Sequence, residues 1–476
     1  MKDFIMSYLD TYTHYGEIEK KKIKIYKKKN SDLLIKELNY LETMISKNKE
    51  QNIYISNIEY EFCKLKSIVN TIKKLENNTL DEVELFEIKN FAISSQIIKE
   101  NYEKLNVYID YINLVDIEEI IKILDPSNLK LTTFQIYDSY SQNLKEIRIS
   151  KQSIEKEIFK EKNLENIKAL KEKRLEIVIK EEKEENKIKE EISKKISKYI
   201  HALGNNICAI GKLDLLNSKA KFCIKHNLTK PNINNQNKIV FEELRNLELM
   251  NILKDKNKEY IPISIDLDKK VTLLTGANMG GKSVSMKATA LNLYLFQCGF
   301  YVFAKSANLC ILDFIYFISQ DLQDIDKGLS TFGGEIIKLK EIINLMKKED
   351  GFIALDEFAK GTNPVEGKIL LKSICDYFNK FNSISLISTH YDEEIENVDH
   401  YQVIGLKNVN FEKLKYKIDL NKSKGIKILQ ENMDYRLEKV NDKKVPKDAL
   451  NICSLLGLDK EVLDIAKKYY QGENDE

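Results

Sequence analysis

Residues 271–296 read VTLLTGANMGGKSVSMKATALNLYLF, a β-prone apolar run, a glycine-rich loop and a helix-like run in immediate succession. Within it Gly276-Ala277-Asn278-Met279-Gly280-Gly281-Lys282-Ser283 fits the phosphate-loop pattern G-x-x-x-x-G-K-[ST] without a mismatch. Glycines are needed there because the backbone must curl until successive N–H groups converge on phosphate oxygens, a path that side chains would obstruct. The helix that follows, entered through Ser283 and Val284, would aim its free amides and partial positive charge at the same anion. Lys282 would then reach the β- and γ-phosphates, and Ser283 would ligate Mg²⁺. A purely structural glycine turn explains the glycines, but not the strand before them together with the helix after.

Downstream, Phe352-Ile353-Ala354-Leu355-Asp356-Glu357 is an apolar strand ending in two carboxylates. A parallel sheet binds ligands at the C-terminal edges of its strands, so Asp356 is the candidate for the magnesium shell. Glu357 is the candidate base that polarises water for in-line attack on the γ-phosphate. A further strand, Ile384 to Thr389, ends in His390, where an imidazole can hydrogen-bond the γ-phosphate or the attacking water. His14, His201, His226 and His400 have no such setting and read as structural or exposed.

Short apolar runs separated by glycine-containing turns and alternating with helical runs indicate an α/β domain with a doubly wound, mostly parallel sheet. Upstream the texture differs. The first of five prolines is Pro126, so the N-terminal quarter lacks the commonest helix breaker and reads as long helices. From Asn143 to Ile200, Leu144, Ile147, Ile154 and Ile158, and later Ile188, Ile192, Ile196 and Ile200, fall at helical spacing around the charged tract KEEKEENKIKEE. That segment is either a helical hairpin projecting into solvent or a single solvated linker helix. Leu213, Leu216, Ala220 and Ile224 then restore amphipathic spacing before Pro231 closes the region.

The chain of 476 residues is long enough for several cores. Its 76 basic and 74 acidic residues leave a net charge of +2, so a nucleic-acid-binding face would have to be local. Seven scattered cysteines, none in C-x-x-C spacing, argue for a reducing compartment and against a disulfide or zinc framework. With neither a membrane-length apolar run nor a leader-like N-terminus, the expectation is a soluble cytoplasmic protein.

Taken in order, four motifs resemble the ATPase domain of the MutS family of DNA mismatch-repair proteins. They are TGANMGGKSVSMK, Gly328-Leu329-Ser330-Thr331-Phe332 with Glu335 three residues on, LDEFAKGT, and STHYD. The resemblance implies ATP and Mg²⁺ as ligands and a dimer, of this chain with itself or with a related one, in which Ser330 reaches the partner's nucleotide in trans. Tyr260 sits where the family often stacks an aromatic on adenine; a core tyrosine is the other reading. Ala449 to Tyr470 resembles the family's C-terminal helix-turn-helix dimerisation element.

The resemblance implies five segments: a helical lever and core over 1–142, a charged helical clamp over 143–200, a returning lever helix over 201–235, the ATPase domain over 236–415, and a C-terminal segment over 416–476. Mismatch-reading members begin with a small domain carrying a Phe-x-Glu wedge, whereas this sequence starts in lever-like helix; Phe159-Lys160-Glu161 lies inside the charged tract. Leu329 replaces a common arginine, and Gly361-Thr362-Asn363-Pro364-Val365-Glu366-Gly367 resembles the branch without the mismatch domain. That branch carries a C-terminal nuclease-like domain, for which the sequence to Glu476 leaves no room. Two outputs stay open. One is a clamp on DNA; the other is a protein-remodelling ATPase that acts on a client enzyme, like the MutS-related proteins associated with adenosylcobalamin-dependent aminomutases and their second ATPase.

Overall fold

The computed structural model describes residues 1–127, 135–255, 257, 259–276, 281–318, 331–391, 395–406, 409, 414, 433–440, 449–455 and 457–472. They fall into two compact units. One comprises Lys2–Ile23 and Tyr40–Phe222; the other comprises Met1, Lys24–Asn39 and Cys223–Glu476.

The first unit is helical. Its long helix Glu82–Lys104 opens with a capping box in which Asp81 accepts from the Glu84 N–H and Glu84 reaches back to the Asp81 N–H. Such reciprocal capping satisfies two amides that the first helical turn leaves orphaned. Residues 142–197 form two helices, Gln142–Lys160 and Leu164–Ser197, turned back on each other through three residues. Leu144, Ile188, Ile192 and Ile196 are buried, while the rest of the hairpin is held by charge. Arg148 donates to Glu181 at 3.1 Å, to Glu185 at 2.7 Å and to the Ile136 carbonyl at 2.8 Å, and Lys151 pairs with Glu181. Further along, Arg174 meets Glu155 at 2.7 Å. Ser141, just before the first helix, meets Glu184 at 2.7 Å, so Ile188, Ile192 and Ile196 lie beyond the paired length, where Ser193 accepts the Leu80 N–H and Lys189 meets Glu82. Glu181 and Glu185 of the charged tract supply the crosslinks.

The second unit is built on two sheets. Four strands, β1 (Asn232–Ile233), β2 (Ile239–Leu244), β3 (Ile263–Leu267) and β5 (Ser306–Leu309), pair in the order β1-β5-β2-β3. The larger sheet contains β4 (Val271–Thr275), β6 (Phe314–Ile318), β7 (Gly351–Leu355), β8 (Ile384–Ser388), β9 (Asp399–Gly405) and β10 (Asp434–Lys439) in the order β10-β9-β4-β8-β7-β6. All its neighbours are parallel except β10, which runs antiparallel to β9. Every residue of β4, β7 and β8 is buried, as continuous apolar runs covered on both faces must be.

Helices Thr331–Met346 and Pro364–Phe378 cover one face, where Leu339, Ile342, Leu371 and Phe378 share a core with Val271, Leu273, Ile353 and Ile387. Helix Lys282–Gln297 packs against β6, β7 and β8. The expected helical region followed by a mixed α/β domain is what the chain forms. Helices Ala449–Leu455 and Lys460–Gly472 flank Gly457 at φ 84°. No helix among the described residues is long and apolar enough to cross a membrane.

Candidate functional site

Because β8 lies between β4 and β7, the loops leaving the C-terminal ends of these three strands are neighbours. The sheet order therefore brings together motifs that lie far apart in sequence.

Leaving β4, the chain turns at Gly276 with φ 140° and enters its helix through Gly281 at φ 86°. These are left-handed conformations that favour glycine. A side chain at Gly281 would also approach the Tyr435 ring to 2.9 Å. Lys282, the first helical residue, is 5 % exposed and donates its ammonium to the Gly276 carbonyl at 2.8 Å, spanning the mouth of the loop. Burial pushes this ammonium below the usual lysine value, against the opposing pull of Glu357 and then Asp356. A desolvated cation at a helix N-terminus favours a bound anion. Ala277, Asn278, Met279 and Gly280 lie outside the described residues, as does Ser330.

At the end of β7, Asp356 accepts a hydrogen bond from the Ser388 hydroxyl at 2.7 Å, and the same hydroxyl oxygen accepts the Glu357 N–H at 2.7 Å. Ser388, the last residue of β8, thus fixes both carboxylate-bearing residues. Glu357 takes φ 51° and Ala359 φ 62°, left-handed values for residues with a Cβ. Strain of this kind persists only where the surroundings over-determine the backbone. The Glu357 carboxylate is paired with Lys360 at 2.5 Å. Beyond Thr389, His390 is solvent-accessible. Partial burial lowers its titration below the ordinary value of 6.5; the Glu357 charge opposes this, and Lys360 and Lys282 reinforce it.

One cavity of about 580 Å³ is lined by Lys282, Glu357 and Lys360, but not by Asp356, Ser388 or His390. Gly281, Lys282, Ser283, Ser285, Glu357 and Lys360 give it a polar lining, and Leu249, Leu253, Tyr260, Ile261, Ile263, Val284 and Tyr435 an apolar and aromatic one. That size and division suit a ligand with a charged tail and a flat apolar head. Burial pushes the Tyr260 hydroxyl up to about 12 and raises that of Tyr435. A second cavity of about 140 Å³ beside Thr275, Asp399 and His400 is too small for such a ligand, and there His400 meets the Thr275 hydroxyl at 2.5 Å.

Among the described residues no group of three or more His, Cys, Asp or Glu could hold a metal by itself. Ser283 lines the 580 Å³ cavity, whereas the Asp356 carboxylate is not part of its lining and accepts from Ser388. Sequence reading missed Ser388, Lys360 and Tyr435. Ser388 had a signal, as a hydroxyl at a strand end two residues before His390; Tyr435 had none, since only the β9–β10 pairing brings it to Gly281.

A parallel sheet, a glycine-rich loop opening a helix and a carboxylate strand two positions away define a P-loop nucleotide-binding domain. Residues 272–471 match the family model described as MutS domain V, which supports a MutS-family ATPase domain in that stretch. It is 32% identical over 214 residues to the Endonuclease MutS2 of Ligilactobacillus salivarius, covering 45% of this chain and 27% of that protein. The protein of that name from Acetivibrio thermocellus is 32% identical over 223 residues, 46% of this chain and 27% of the relative. That from Caldicellulosiruptor bescii is 32% identical over 301 residues, 62% and 35% respectively. The chain thus spans about a quarter to a third of the length of these curated relatives.

Proposed function

We propose that this chain binds Mg²⁺-ATP in the 580 Å³ cavity and hydrolyses it to drive a conformational change. The observation that carries the reading is the convergence of Lys282 and Glu357, from two different motifs, on one cavity that apolar and aromatic residues also line. Lys282 and the amides at the start of its helix bind and orient the β- and γ-phosphates, while Tyr260 and Tyr435 bracket the base. Glu357 removes a proton from the water that attacks the γ-phosphorus as the bond to the β–γ bridging oxygen breaks, giving ADP and phosphate. Ser283 and Asp356 would hold Mg²⁺, which would neutralise phosphate charge when bound. His390 orients the water or reports the γ-phosphate.

The active form in this reading is a dimer, of two copies or with a related chain, whose composite sites are completed by Ser330 in trans. Domain boundaries at 142, 200, 235 and 415 make residues 143–200 a clamp moved by nucleotide exchange, with 449–470 as a dimerisation element. What the clamp holds is read in two ways. The relatives' printed name, an endonuclease, favours DNA; the near-neutral net charge of +2 and the mixed signs of the hairpin favour a protein client, an adenosylcobalamin-dependent aminomutase with its second ATPase being one such client.

Steady-state hydrolysis and equilibrium nucleotide binding test the site together. Lys282→Ala abolishes turnover, and Glu357→Ala binds ATP without hydrolysing it; normal turnover by Glu357→Ala refutes the assigned base. Mixing Lys282→Ala and Ser330→Ala chains restores one composite site if Ser330 acts in trans. Filter binding with branched and linear DNA across a salt series separates the outputs, because phosphate contacts weaken steeply with salt and absence of binding at low salt removes the DNA reading.

A further inference from the structure

We infer that Glu335 and Tyr391 are positioning residues for Glu357, acting together on the peptide groups of Ala359. The inference rests on Glu357 being the hydrolytic base as proposed above. Ala359 lies two residues beyond Glu357 and is fully buried. Its N–H donates to Glu335 Oε2 at 3.3 Å, and its carbonyl accepts the Tyr391 hydroxyl at 2.9 Å. Both backbone groups of one left-handed residue are therefore held by side chains from two other elements. Glu335 comes from helix Thr331–Met346, and Tyr391 directly follows His390.

Left-handed backbone at Glu357 and at Ala359 is unfavourable for residues with a Cβ. Without outside restraint such a loop relaxes toward ordinary φ, and relaxation at Ala359 swings the peptide that follows the base. Glu335 is 8 % exposed, and burial raises its carboxyl above the ordinary range while the Ala359 N–H opposes the shift. Placing a carboxyl in so apolar a setting is costly and makes sense where it holds a particular donor.

Space around the brace is equally constrained. A Cβ at Gly367 would come to 2.3 Å from the Tyr391 hydroxyl and 3.2 Å from the Ala359 carbonyl, so a glycine there keeps that hydrogen bond open. The Tyr391 N–H is itself anchored on Thr389 Oγ1 at 3.0 Å. The two contacts tie the loop carrying Glu357 to the helix that begins one residue after Ser330 and to the strand end that carries His390. Displacement of either element reaches the base through Ala359.

The test uses the full chain and compares Glu335→Ala, Glu335→Gln, Tyr391→Phe and Glu357→Gln. Glu335→Ala and Tyr391→Phe are expected to lower kcat at least tenfold while Kd for a non-hydrolysable ATP analogue stays within about twofold. Glu335→Gln, whose amide oxygen accepts the same N–H, is expected to recover most of the loss. Should Glu335→Ala fail to fold, Tyr391→Phe, which removes a single oxygen, decides alone. Unchanged kcat in Tyr391→Phe, or affinity loss that matches the loss of kcat, overturns the inference. Full turnover by Glu357→Gln would instead refute the base itself, so the two failures are told apart.

Discussion

Replacing Ser388 by alanine removes one oxygen from a fully buried position at the end of β8 and separates two contributions within a single variant. The hydroxyl donates to the Asp356 carboxylate at 2.7 Å and accepts the Glu357 N–H at 2.7 Å. A hydrogen bond to a charged group contributes about 1.5–3 kcal/mol and a neutral one about 1 kcal/mol. Asp356 is 9 % exposed, so little water can replace the lost donor. The expected destabilisation is about 2.5–4 kcal/mol, or roughly 5–15 °C for a domain of this size.

With two units in the chain, the relevant transition is the one that Mg²⁺-ATP shifts upward by binding the native state, and scanning calorimetry with and without nucleotide identifies it. Turnover should fall together with stability, since Glu357 loses the contact that fixes its backbone. A melting temperature within about 1 °C of the parent would refute the reasoning, because a buried hydrogen bond to a carboxylate and a half-buried one to a backbone N–H cannot both be lost at no cost.

His390 should titrate below 6.5 in the free protein, followed by the NMR signal of its ring C–H, because partial burial disfavours the imidazolium. The unfolded chain then takes up the proton first, so this group stabilises the fold at and above pH 6.5, and that contribution is lost as pH falls toward the folded value. Mg²⁺-ATP should move the midpoint upward through its negative charge, and a midpoint at or above 6.5 without nucleotide would count against the assigned environment. Arg148→Met should quicken amide hydrogen exchange in helices Gln142–Lys160 and Leu164–Ser197 about tenfold, since one guanidinium bridges Glu181 and Glu185 of the opposing helix; unchanged exchange would show that the hairpin does not depend on this bridge.

The sheet was legible because continuous apolar runs such as Phe352–Leu355 admit few alternatives once a glycine loop precedes a helix. Phosphate and magnesium chemistry ties residue type to a strand end or helix start, which is why Lys282, Ser283, Asp356 and Glu357 were expected together; Lys282, Ser283 and Glu357 line one cavity, and Asp356 does not. What escaped was pairing over distance. Nothing local tells that Ser388 faces Asp356 or that a tyrosine in MDYRL reaches Gly281. Such contacts depend on strand order, and the order β4-β8-β7 is a property of the assembled sheet. The hairpin was half legible: its apolar stripe is periodic, but the partners of Arg148 follow from where the chain reverses.

The antiparallel strand β10 has a consequence for how the domain can be cut. It forms the outer edge of the larger sheet and also delivers Tyr435 to the cavity, so a chain ending after β9 would lose an aromatic wall of the pocket and lay bare the backbone of β9 between Asp399 and Gly405. An uncovered strand containing the buried Tyr401 and Val403 is a template for pairing with other chains. Solubility and nucleotide affinity should therefore fail at the same truncation point, between β9 and β10.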